Sequence, residues 1–210
     1  MLLGMEQTLG FLAAAVLVTL SPGPDNLMVL SLGMAKGRRH GIAFGLGCAL
    51  GCLSHTLLAA LGISALLAAS PLAFAALKIA GGAYLIWLGW QAWRSQGSLL
   101  NAAQQHNPRE SAGKLFVKGL LANAINPKVV LFFLAFLPQF VISQHGQLAW
   151  QTAQLGLLFT LQAAVVFGLL GYFAGHAGRW LNTSPQRSTL LDRIAGTLFV
   201  LLGLKLILAP

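Results

Sequence analysis

Residues 9–32 read LGFLAAAVLVTLSPGPDNLMVLSL, an apolar run interrupted once, by Ser21-Pro22-Gly23-Pro24-Asp25-Asn26. About 20 predominantly apolar residues suffice to cross a bilayer as a helix, so the run is long enough to span. Pro22 and Pro24 remove backbone donors and clash with the preceding turn, and Gly23 adds conformational freedom. The helix must kink or open there. Open backbone at membrane depth is tolerated only where protein buries it or it lines a watery cavity. A bland proline kink is one reading. Two prolines, a glycine and an acid together favour a functional break, with Pro22, Gly23 and Pro24 as hinge residues.

The rest of the chain agrees with a lipid environment. Of 210 residues, 57% are apolar and 8% charged, where a soluble domain carries about a quarter charged. So few charges cannot cover a water-facing surface. Only Glu6 is charged ahead of the first apolar run, so no basic segment marks a secretory signal and the run is expected to stay as a helix. Thirteen Lys and Arg stand against four Asp and Glu. That excess would suggest nucleic acid in a soluble protein, but in a membrane protein its placement reports cytoplasmic loops, so no nucleic-acid partner is expected.

Six apolar stretches are predicted to span, at about 7–34, 41–67, 71–94, 115–141, 148–177 and 190–208, within one domain over 1–210. Polar breaks separate them, the longest at about 95–113. Lys36, Arg38 and Arg39 lie in the first connection; Arg94, Arg109, Lys114 and Lys118 bracket the third; Arg179, Arg187 and Arg193 bracket the fifth. The second and fourth connections hold no Lys or Arg. Short basic loops stay in the cytoplasm, which puts both termini outside. Trp87, Trp90 and Trp93 fall at the cytoplasmic end of the third span, where an interfacial belt belongs.

The halves resemble each other. The third span aligns with the sixth, with Gly82/Gly196, Leu88/Leu202 and Gly89/Gly203 identical, and Pro24-Asp25 falls against Pro127-Lys128. The fold expected is therefore an all-α integral membrane protein of two inverted three-helix repeats, about 7–94 and 114–208, with helices 1 and 4 broken by proline. Pro127 is the hinge of the second break.

Asp25 lies eleven residues before Lys36, and Lys128 ten beyond Lys118 in an oppositely running helix. At 1.5 Å per residue both sit roughly 15 Å from the cytoplasmic side, near mid-bilayer. Two unpaired charges there would cost about 5–7 kcal/mol, so they should face each other or a zwitterion that replaces each partner. Asn26 and Asn126 are candidate neutral hydrogen-bonding groups beside them. His55, with Ser54 or Thr56, is a candidate polar or proton-handling group, with Gln162 its counterpart. Lys78 is either a site residue or a side chain reaching the outer interface. Cys48, Cys52 and His55 share a helical face, so a metal-ion exporter is the alternative function. Small residues on that helix favour tight packing, and no metal site is expected. No phosphate loop or acid-rich constellation points to an enzyme, and no cofactor is implied. Faces such as Gly41, Gly45 and Ala49 can pack helices within the chain or between two copies as a homodimer.

These motifs together resemble the lysine and homoserine/threonine exporter family of bacterial amino-acid effluxers. Pro22-Gly23-Pro24-Asp25-Asn26 is similar to its first-helix signature, and Gly51-Cys52-Leu53-Ser54-His55 to its second. Lys78 through Gly89 is similar to its third, Asn126-Pro127-Lys128 with Leu131-Phe132-Phe133 to its fourth, and Pro138-Gln139-Phe140 to the end of the fourth. The resemblance runs essentially end to end. It implies export of amino acids or close derivatives across the bacterial inner membrane, driven by the proton gradient, without fixing the substrate. In relatives Asn can occupy the position of Asp25, which favours ammonium binding over proton carriage for this residue.

Overall fold

A computed structural model describes residues 3–21, 23–94, 110–182 and 185–208. The hinge assignment of Pro22 and most of the third connection, including Arg109, fall outside these residues. Among the described residues eight α-helices follow in order: α1 (Met5–Leu20), α2 (Pro24–Lys36), α3 (Arg38–Ala69), α4 (Pro71–Arg94), α5 (Ala112–Ala124), α6 (Pro127–Leu131), α7 (Leu148–Asn182) and α8 (Pro185–Leu208). No strand occurs among the described residues.

Among the described residues two helices, over Arg38–Gly62 and Leu148–His176, are singly long and apolar enough to cross a membrane. The bent pair α1–α2 turns by 58° and the pair running from Ala112 to Phe140 by 48°; with each pair taken as one span, the described residues hold four. At 24 residues each, α4 and α8 reach about 36 Å.

The breaks fall where proline removes a donor. α1 ends at Leu20, with extended backbone at Ser21 and Gly23. α5 ends at Ala124, and Asn126 caps α6 by accepting the Lys128 N–H. Past this break the chain does not continue as a regular half-helix. α6 lasts five residues, then a π turn covers Phe132–Phe136 and a 3₁₀ turn Leu137–Phe140. The wider π register lets Phe132, Phe133 and Phe136 all point inward, each essentially fully buried, and Pro138 cannot donate to a resumed α-helix. Phe132 and Phe133 pack on Phe159 at ring separations of 5.1 and 5.0 Å. Gly37, at φ +90°, reverses the chain from α2 into α3 without a longer loop.

α3 is the central strut, packed on α5, α7 and α2, while α4 pairs with α8. Small residues permit the approach. A Cβ at Gly89 would lie 2.6 Å from the Gly196 carbonyl oxygen, and one at Gly203 2.6 Å from that of Gly82. Polarity is inverted relative to a soluble domain. Leu50, Leu53, Leu57 and Leu61 on α3, and Leu157, Leu161, Val165 and Leu169 on α7, are exposed, whereas Asp25, Asn26, His55, Asn123, Asn126 and Lys128 are buried. An apolar exterior around a polar interior is the arrangement lipid demands.

Candidate functional site

Each proline deprives the carbonyl four residues earlier of its helical donor. Pro22 does this to Val18, and Pro127 does it to Asn123. Side chains from distant helices take up these carbonyls. The Lys128 ammonium donates to the carbonyls of Val18 and Ser21, both at 3.2 Å, and to Ser21 Oγ at 3.4 Å. Its Nζ also stands 5.9 Å from the Phe199 ring centre. The Asn123 carbonyl accepts from the Asn126 N–H at 2.9 Å and is 3.0 Å from His55 Nε2. A carbonyl can only accept, so Nε2 carries the proton on His55. Asn26 Nδ2 donates to the Thr19 carbonyl at 2.7 Å, whose own helical partner would have been the N–H of Gly23, inside the break.

Asp25 is 3% exposed and Lys128 6%, so both charges are withdrawn from lipid and water. They do not form the direct pair expected from their matched depth: among the described residues no Asp25–Lys128 contact lies within 4.0 Å. Asp25 Oδ2 instead accepts from Asn123 Nδ2 and Asn126 Nδ2, both at 2.9 Å. Asn126 also ties Asp25 to the Lys128 main chain, since its Oδ1 accepts the Lys128 backbone N–H at 3.0 Å. Asp25 lies in the first turn of α2, and Lys128 meets carbonyls at the end of α1, so each charge faces the helix end of opposite partial charge. A Cβ on Gly23 would sit 2.9 Å from the Lys128 ammonium, so a side chain there would shift that flexible end from its place.

Asp25, Asn26, His55, Asn126 and Lys128 therefore meet around the two breaks. Gln162 joins through Thr19, donating from Nε2 to Thr19 Oγ1 at 2.8 Å. It does not touch His55 as its counterpart. Lys78 is half-buried on α4 and makes none of these contacts. Cys52 Sγ lies 3.4 Å from Asn123 Oδ1, and Cys48 is buried in the apolar core. With His55 turned to Asn123, no group of three His, Cys, Asp or Glu among the described residues could hold a metal, which removes support for the metal-exporter alternative. Sequence reading missed Asn123 and Thr19. The i−4 relation to Pro127 marks the first; nothing local marks the second.

Opened helices that hold buried opposite charges inside an apolar exterior define the class of multi-pass membrane transport proteins. The chain belongs to the LysE type translocator family, whose model matches residues 16–209. It is 35% identical to an uncharacterised membrane protein of Vibrio cholerae over 94% of this chain and 95% of the relative. It is 34% identical to the homoserine/homoserine lactone efflux protein of Salmonella typhimurium over 94% of each chain. It is 31% identical to the leucine efflux protein of Klebsiella pneumoniae over 94% of this chain and 92% of the relative. No solved structure matches it. The protein is thus a membrane transporter and not an enzyme.

Proposed function

We propose that this protein exports amino acids or close derivatives from the cytoplasm across the bacterial inner membrane, as a proton-coupled antiporter working by alternating access. The carrying observation is that Asp25 and Lys128 are held at the breaks by neutral groups rather than by each other. A zwitterion supplies a counter-charge to both: its ammonium is taken by Asp25 and its carboxylate by Lys128. The efflux functions of the Salmonella and Klebsiella relatives agree with export.

Six spans as two inverted repeats, with both termini outside, complete the reading. Gly82 and Gly89 on α4 approach Gly203 and Gly196 on α8, so the glycines aligned between the halves share one reciprocal interface. That supports an inverted repeat. Glu110 bridges Lys36 and Lys118, and the Trp93 indole donates to the Arg193 carbonyl at 3.1 Å. The basic first, third and fifth connections thereby gather at one end, as a common cytoplasmic face requires. Rocking of the halves about the two breaks would expose the polar centre to either side in turn.

The test is to load cells with or without the protein with dipeptides and follow free amino acids outside. Selective accumulation that is lost in Asp25→Asn, and abolished by a protonophore, is expected. Accumulation unchanged by the protein overturns export, Asp25→Asn at full rate overturns the ammonium role, and insensitivity to the protonophore overturns proton coupling.

A further inference from the structure

Two oxygens on side chains that both bond Thr19 have no hydrogen-bond donor among the described residues: Asn26 Oδ1 and Gln162 Oε1, both buried. Asn26 is 5% exposed. Their amide orientations are fixed by their other ends. Asn26 Nδ2 faces the Thr19 carbonyl, which only accepts. Gln162 Nε2 faces Thr19 Oγ1, whose own proton goes to the Ala15 carbonyl at 2.8 Å, so that hydroxyl must accept from Gln162. Thr19 therefore turns both amide oxygens free. Pro22 has no N–H to offer them. Buried acceptors without donors are rare and costly in native proteins, and a ligand donor is one way to satisfy them.

We infer that Asn26 and Gln162, oriented by Thr19, form a side-chain subsite that selects amino acids whose side chain ends in a hydrogen-bond donor, such as a hydroxyl or amide, over hydrocarbon side chains. This rests on the amino-acid export reading. The charges at Asp25 and Lys128 match the α-ammonium and carboxylate common to every amino acid, so they cannot discriminate among them. Asn26 directly follows Asp25 at the start of α2, and Gln162 shares Thr19 with Asn26 as a hydrogen-bond partner. A site built to bond a polar group rejects an isostere lacking it, because its own buried partners are left unpaired. The names of the relatives do not decide the matter, since one is an efflux protein for homoserine and another for leucine.

Homoserine and norvaline differ only by hydroxyl against methyl at the side-chain end, and serve as probes. Cells carrying the full-length protein are loaded with alanyl-homoserine and alanyl-norvaline together, and both free amino acids are measured outside. The ratio of the two export rates is insensitive to how much protein reaches the membrane. Homoserine is expected to leave at least about 10-fold faster, with Gln162→Met reducing that ratio to below about threefold. Should Gln162→Met fail to reach the membrane, Thr19→Val, which removes the hydroxyl that orients Gln162 at nearly unchanged volume, should reduce the ratio likewise. Equal export of both by the unaltered protein, or an unchanged ratio in the variants, overturns the subsite alone. Export of neither, nor of any other amino acid, overturns the exporter reading and the subsite with it.

Discussion

Replacing Lys128 should separate folding from transport. Lys128→Met keeps the length of the stem and removes the ammonium. Three hydrogen bonds vanish, but their loss is uneven. Val18 O keeps a donor in Ser21 Oγ at 2.6 Å, whereas Ser21 O accepts from Lys128 and the helix opens before it can find another partner. One orphaned buried carbonyl costs about 1–3 kcal/mol. Against this, a charge is no longer held near the bilayer centre, a saving of about 2.5–3.5 kcal/mol on insertion scales. The two differ by at most about 2.5 kcal/mol, so Lys128→Met should reach the membrane at close to normal abundance. Transport has no such compensation. A charged hydrogen bond to the substrate carboxylate is worth about 1.5–3 kcal/mol, so export at low substrate should fall roughly 10- to 150-fold. Lys128→Arg retains the charge but not the shape. Nζ donates to the Val18 and Ser21 carbonyls and to Ser21 Oγ at 3.2–3.4 Å, a set that the larger planar guanidinium cannot reproduce without displacing them. This variant should lose both abundance and export. Immunoblotting of membranes alongside dipeptide-driven efflux reads both quantities. Lys128→Arg exporting at more than half the normal rate would refute the argument from shape, and Lys128→Met doing so would refute the role of the ammonium altogether.

The glycine contacts between α4 and α8 predict paired effects. Gly89→Ala and Gly203→Ala each place a methyl 2.6 Å from a facing carbonyl, so each should destabilise the protein by a similar amount, on the order of 1–3 kcal/mol, read as similar drops in the thermal midpoint of the purified protein; a large effect from one and none from the other would count against a reciprocal interface. Pro127→Ala restores an N–H within reach of the Asn123 carbonyl, which competes with His55 and favours closure of the second break. Export should drop severalfold while membrane abundance holds, and normal efflux would show that the break is not a working hinge.

Much of this was legible in the chain because lipid makes polarity informative. Apolar runs located the helices, and charges stranded inside them located the polar centre. Asp25 and Lys128 stand out in a chain that is 8% charged, and proline beside each marks the breaks. Pairwise contacts were not legible. Matched depth placed Asp25 opposite Lys128 but could not reveal Asn123 and Asn126 as the donors that meet the carboxylate. The π turn at Phe132–Phe136 was equally hidden, because an inward cluster of three phenylalanines fits several helical periods until their neighbours are known. Gln162 was visible as a polar residue in an apolar helix, yet its partner Thr19 resembles many threonines that bond only their own helix.

The absence of a direct Asp25–Lys128 contact follows from the break itself. An intact first helix would offer neither free carbonyls nor free N–H groups at that depth, and two buried charges would have to neutralise each other. Once opened, the same helix presents a carbonyl end to Lys128 and an amide end to Asp25, so one break offsets much of the burial cost of both charges. A tightly closed ion pair would have to be broken before a zwitterion could bind, and the lost attraction would subtract from its affinity. Charges held apart by helix ends and asparagine amides leave less to break. On this reasoning the prolines serve binding as well as bending, and restoring a continuous first helix should draw Asp25 and Lys128 together and weaken substrate binding even if the halves can still move.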